Sequence, residues 1–153
     1  MAGKLMSAQT TRGSGKHPNS HAREVALQAI YQQEIANTPV HEVLEFRWLN
    51  EPLTPPVREY CIGLITGVTD HWEALDDVIK AFSHKHITQI SVINRCILRT
   101  AIYELMQAQL DPAIIMDDAL NLTRKYDGED SVAFVNGILD PFEKERRNAD
   151  RPE

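Results

Sequence analysis

An all-α fold is what this 153-residue sequence predicts, and three observations carry the prediction. Apolar residues recur at spacings of three and four along most of the chain, the period of one face of a helix. No stretch alternates strictly between apolar and polar residues within turn signals, as a half-buried strand would. Aromatics make up 7% and β-branched runs are short, which is poor material for a sheet. About seven helices with short connections follow, packed as two small bundles.

Residues 1–20 hold Gly3, Gly13, Gly15 and Pro18 among small polar residues. Such a segment cannot bury enough apolar surface to order itself, so 1–20 reads as a disordered basic arm. Asn19 or Ser20 suits a helix cap. In "HAREVALQAIYQQEIA" the residues Ala22, Val25, Ala26, Ala29 and Ile30 form one stripe, and its alanines let a second helix approach closely. "HEVLEFRWLN", His41 to Asn50, predicts a short helix. Thr54 then caps the next segment, with Pro55 at the first helical position. Its apolar pattern runs from Val57 through Cys61, Leu64 and Val68 to Phe82. That is long for one globular helix, and Gly63 and Gly67 predict a break or a close crossing. Ile90, Ile93, Ile97, Ala101 and Leu105 share a stripe, with Asn94 and Arg95 at its sides. "DPAIIMDDALNLTRKYDG" is framed by Asp111 as cap, Pro112 as first residue, Arg124 and Lys125 in the last turn, and Gly128 as stop.

"EDSVAFVNGILD", Glu129 to Asp140, sets two rules against each other. Asn136-Gly137 between apolar residues is a strong hairpin signal. Yet Val132, Val135, Ile138, Leu139 and Phe142 recur at helical spacing. Asp130 or Ser131 supplies a cap, and the acids there suit the positive end of a helix dipole. The helix is the better reading. An internal glycine costs about 1 kcal/mol relative to alanine, so Gly137 is expected at a close approach to a neighbouring helix.

The domain organisation expected is the arm at 1–20, a helical domain at 21–145 and a short tail at 146–153. No run approaches the roughly 18 apolar residues that span a bilayer, and no secretory leader is evident. A cytoplasmic, membrane-free setting is expected. Cys61 and Cys96 lie apart in apolar segments and read as buried small hydrophobes, not a metal or redox pair. Net charge is −6, but residues 1–23 carry +4 and no acid, leaving −10 on the rest. A basic arm on an acidic body suits an anionic partner, or serves only solubility.

The sequence lacks phosphate-binding loops, nucleophile elbows and zinc-protease motifs. Asp76-Asp77 and Asp117-Asp118 are adjacent pairs, which diverge by about 100° on a helix and form no carboxylate dyad. His84 and His86 lack further ligands at a recognised spacing. No metal, cofactor or catalytic residue is expected, and the chain reads as a binding protein, not an enzyme. Phe134, at the start of the last helix, is either a core residue or a stacking platform for an unpaired base.

"ILRTAIYEL", Ile97 to Leu105, together with "EDSVAFVNGILD" resembles the NusB family of bacterial transcription antitermination factors. "REVALQAIYQ", "LITGV" and "DPAIIMDDALNLTRKYDGEDS" resemble further family segments in the same order, over about residues 21–143. The resemblance implies two three-helix bundles with an extra helix and no enzymatic activity. It implies binding to the boxA element of ribosomal RNA transcripts together with NusE, a small-subunit ribosomal protein, within an RNA polymerase antitermination complex.

Residue by residue, the resemblance implies an RNA side formed by Lys16, Arg23, Arg99, Asp130, Phe134 and Asn136. Asn136 could instead bond within the fold. It implies a partner side at Tyr31, Ile35 and Asn94, where many members carry a glutamate in place of Asn94. The family's arginine-rich N-terminal run has no counterpart here, which implies fewer phosphate contacts and a shallower salt dependence. A helical protein–protein adaptor with little RNA affinity is the alternative. A homodimer that covers the RNA face is a further state to weigh. NusB-like domains also precede ribosomal RNA methyltransferase domains, but no cofactor-binding segment is present here.

Overall fold

The computed structural model describes His17 and residues 19–150. Lys16 and the rest of the expected arm before it lie outside the described residues. Seven α-helices and two 3-10 turns form among the described residues, with no strand. The helices are α1 (Ser20–Ala36), α2 (Val40–Val43), α3 (Pro55–Asp70), α4 (Trp72–Phe82), α5 (Val92–Gln107), α6 (Pro112–Tyr126) and α7 (Val132–Ala149). The turns are Ile87–Gln89 and Glu129–Ser131. The all-α expectation holds, and Asn136-Gly137 lies inside α7.

The chain divides into two compact units, one ending at His71 and the other beginning at Trp72. In the first, α1 packs along α3, and α2 touches both. Ala22, Val25, Ala26, Ala29 and Ile30 of α1 are buried, as are Cys61, Leu64, Ile65 and Val68 of α3. The Gln33 amide donates to the Thr69 hydroxyl at 3.1 Å, which ties the two helices. Burial pushes the Cys61 thiol up to about 12, so it stays protonated and inert at neutral pH.

Two expectations in this unit need correction. The helix expected over residues 41–50 stops at Val43. Phe46 adopts φ 56, a left-handed conformation that cannot continue a helix. The Trp48 indole instead donates to the Val43 carbonyl at 3.0 Å, and the Arg58 guanidinium lies 5.7 Å from the Phe46 ring. The long 54–82 pattern does divide into two helices, but at His71, not at a glycine. The His71 backbone N–H bonds to the Gly67 carbonyl at 3.1 Å. Its ring nitrogen Nδ1 lies 2.8 Å from the same oxygen.

In the second unit α5 is central, packing against α4, α6 and α7. Ile97, Leu98, Ala101, Ile102 and Leu105 of α5 are buried with Leu75 and Ile79 of α4, Ile115 and Ala119 of α6, and Val135, Ile138 and Leu139 of α7. The Phe82 and Phe142 rings meet edge to face, with centroids 5.9 Å apart. The helix α7 runs on through Ala149, past the expected boundary at 145. Its interior Pro141 lacks the N–H that would bond to the Gly137 carbonyl. Beyond it, Glu143 is buried and accepts from Arg146 at 2.7 and 2.9 Å, which holds the final turns.

Gly137 is not the close approach that its position suggested. It is exposed, and an added Cβ would meet nothing within 4 Å. Its cost is therefore uncompensated conformational freedom. Gly137→Ala is expected to stabilise the fold by about 0.4–1 kcal/mol, read as a raised midpoint in urea unfolding. A lowered midpoint would restore the close-packing explanation.

Candidate nucleic-acid interface

The start of α7 is shaped by the segment before it. Asp127 and Gly128 both donate their backbone N–H to the Thr123 carbonyl, at 2.8 and 2.9 Å, closing α6. Gly128 sits at φ 105, where a side chain would be strained. The chain then turns through Glu129–Ser131 and enters α7. One carboxylate, that of Asp127, organises this turn. It accepts from the Ser131 hydroxyl, and from the Asn94 amide of α5 at 3.0 Å. Arg124 donates to Glu129 at 2.9 Å, an exposed pair that adds at most about 1 kcal/mol. These contacts leave Asp130 exposed and Phe134 half-buried in the first turn of α7.

A second segment, between α4 and the 3-10 turn, borders Phe134. The Ser83 hydroxyl accepts from the Lys85 N–H at 2.9 Å and donates to the Lys85 carbonyl at 2.8 Å. The His86 ring accepts from the Thr88 N–H at 3.3 Å, and the Gln89 side chain accepts from the His86 N–H at 3.2 Å. Arg95 of α5 donates to the carbonyls of Ile87 and Ile90 at 3.2 and 2.8 Å. The segment is thus fixed by its own side chains and by Arg95. It sets the Lys85 Nζ 4.6 Å from the Phe134 ring centroid, and the His84 ring 5.8 Å from it at 76°. A π surface and a cation therefore stand together, with the exposed Asp130 four residues before the ring, a set that can stack a base, hold a phosphate and accept from a base edge.

The nine site residues expected from the sequence fare differently. Lys16 lies outside the described residues. Asp130, Phe134 and Asn136 fall at the start of α7. Asn136 is exposed, but two positions on a helix turn it about 200° from Phe134, off that face. Tyr31 is half-buried, and Ile35 is 46% exposed near the end of α1.

Three of the expected residues are buried in the chain on its own. Arg23 is 2% exposed in α1 and offers almost no surface to a phosphate. Arg99 is 2% exposed and donates twice to Asp76, at 2.7 and 3.1 Å. Its guanidinium also lies 4.1 Å from the centre of the Trp72 ring. Asn94 is 5% exposed, and its amide serves Asp127. The Arg99–Asp76 pair ties α5 to α4, and the Asn94 amide ties α5 to the turn before α7.

Lys85, His84 and Asp127 were not singled out from the sequence as neighbours of the α7 start. The signal for the first two was "HKH", His84 to His86, a basic run in an otherwise acidic body. Asp127 left no such signal, since its partner Asn94 is 33 residues away. Asp127→Ala leaves the Asn94 amide buried without this acceptor, and the Asn94 Oδ1 already has no partner. A loss of about 1–3 kcal/mol is expected in urea unfolding. Asp127→Asn, which keeps an acceptor oxygen, is expected to lose less. Equal losses would remove the hydrogen bonds as the cause.

No helix among the described residues is long and apolar enough to cross a membrane. No cluster of three or more His, Cys, Asp or Glu residues among them could hold a metal ion.

Comparison with known proteins gives a consistent picture. The model of the NusB family matches residues 20–144. A relative called transcription antitermination protein NusB, from Leptospira biflexa, is 34% identical over 124 residues, covering 80% of this chain and 89% of its own. The structure of T. maritima NusB superposes with a TM-score of 0.76 at 30% identity, covering 86% of this chain and 94% of that one. A chain from a crystal structure of antitermination factors NusB and NusE in complex with dsRNA gives a TM-score of 0.70 at 25% identity, covering 83% and 96%.

Proposed function

The chain belongs to the NusB family, and from that premise we propose that it is a transcription antitermination factor that binds boxA RNA together with NusE. The observation that carries this reading is the Phe134 ring, half-buried at the start of α7 beside Lys85 and four residues after the exposed Asp130. Recognition proceeds without chemistry. A base of a single-stranded segment stacks on Phe134, and Asp130 accepts from a base edge. Lys16 adds a phosphate contact from the arm. Tyr31 and the exposed Ile35 form part of the surface for NusE, which tethers the complex to RNA polymerase. Two modest contacts joined in this way act as one strong one. The setting is the cytoplasm, where transcription and the ribosomal protein meet.

A transcription template with boxA upstream of a terminator tests the reading. Adding the chain with NusE is expected to raise read-through on boxA and not on a scrambled element. Equal read-through on both would contradict it. The adaptor reading has one observation in its favour: Arg23 and Arg99 are buried, so neither offers its charge for unaided RNA binding. On that reading the chain forms a complex with NusE but adds nothing to the affinity of NusE for boxA.

A further inference from the structure

We propose that Lys85 is the phosphate-binding residue of the Phe134 site, and that the phenylalanine ring holds its ammonium until RNA arrives. The inference rests on the reading of Phe134 as an RNA-stacking residue. Its starting point is a difficulty in that reading. In the free chain the ring is not bare, because the Lys85 Nζ lies over it at 4.6 Å and His84 meets it edge to face. A base can stack there only if a neighbour moves. Lys85 is exposed and ends in a flexible stem, so its head group can leave the ring without disturbing the fold.

The backbone below that stem stays put. Ser83 clamps both the N–H and the carbonyl of Lys85, and His86 and Gln89 close the next turn on each other. Departure of the ammonium is therefore a side-chain rotation about a fixed point. The rotation keeps the cation within one side-chain length of the ring. That is the neighbourhood of the backbone phosphates flanking a base stacked on Phe134. One cation is exchanged from a π face to a phosphodiester oxygen, and the base takes the face it vacates. The ring's attraction for the cation in the free chain presets the lysine near its later position. A phosphate contact of this kind is blind to base identity.

The test uses the full chain with NusE and two labelled single-stranded RNAs, boxA and a scrambled sequence. Lys85→Ala is expected to weaken both equally and to reduce the log–log salt slope by about 0.7, the share of one phosphate contact to a single strand. Between about 50 and 200 mM salt the ratio of wild-type to variant affinity should then shrink by about 2.5-fold. Lys85→Arg is expected to restore the slope. An unchanged slope, or tighter binding by Lys85→Ala, overturns the proposal, since Lys85 would then be a bystander or a mere obstruction. Proton NMR reads the exchange itself. The ε-methylene signal of Lys85, shielded by the ring in the free chain, is expected to return to its ordinary position at RNA saturation. Retained shielding in the complex also overturns it. Phe134→Ala, measured alongside, separates the two levels: if it leaves RNA affinity unchanged, the stacking reading itself has failed, whatever Lys85 does.

Discussion

Asp76→Ala is expected to destabilise the fold by about 3–5 kcal/mol, the cost of breaking a buried ion pair by removing one partner. Arg99 is 2% exposed, while the Asp76 side chain keeps 18% of its surface. The guanidinium also meets the Trp72 face and the weakly accepting Cys96 sulfur. Neither replaces a carboxylate that accepts at 2.7 and 3.1 Å. Arg99→Met makes the opposite experiment. It removes the charge, keeps a long apolar stem against Trp72, and leaves an acid that water can reach. Its loss should be the smaller of the two, because exchanging a buried charge for an apolar group of similar length avoids the desolvation cost. Urea unfolding of the two variants decides this. A larger loss for Arg99→Met would mean that Arg99 acts through something other than the pair with Asp76.

The second large effect is on binding. Phe134→Ala is expected to cost about 1–3 kcal/mol of RNA affinity, the worth of one base stacked on an aromatic ring. The ring is half-buried and touches His84 and Lys85, so the alanine change also removes packing. Phe134→Leu separates the roles, since leucine fills space but has no π face. RNA affinity is expected to fall with both variants, while the unfolding midpoint falls mainly with alanine. If leucine binds RNA as phenylalanine does, the ring serves packing alone.

The helices were legible because a helix that buries one face repeats its apolar residues at three and four. That signal was strong enough in α7 to override Asn136-Gly137, and it placed Val135, Ile138 and Leu139 in the core correctly. Helix ends were less legible, because they depend on single residues competing for carbonyls. The helix α3 ended at His71, and Phe46 left the helical region altogether. Neither residue type announces such behaviour.

The least legible feature was which polar residues would be interior. The stripe of α5 suggested one buried face, yet Asn94, Arg99, Thr100 and Glu104 are buried as well. A helix at the centre of its unit has no free side on which polarity means exposure. Burial of Arg99 depends on Asp76, 23 residues earlier, and that of Asn94 on Asp127, 33 residues later. Such pairs are set by tertiary packing and leave no local pattern. The resemblance pointed to the start of α7, and the structure adds its neighbours there. The basic run at His84 to His86 reaches the Phe134 ring only because the α4–α5 connection folds back toward α7.

A titration of boxA RNA and a scrambled RNA against the chain in the presence of NusE tests the central claim most directly. The account predicts tighter binding of boxA than of the scrambled sequence, with the difference reduced by Phe134→Ala. Equal affinity for the two RNAs would contradict it.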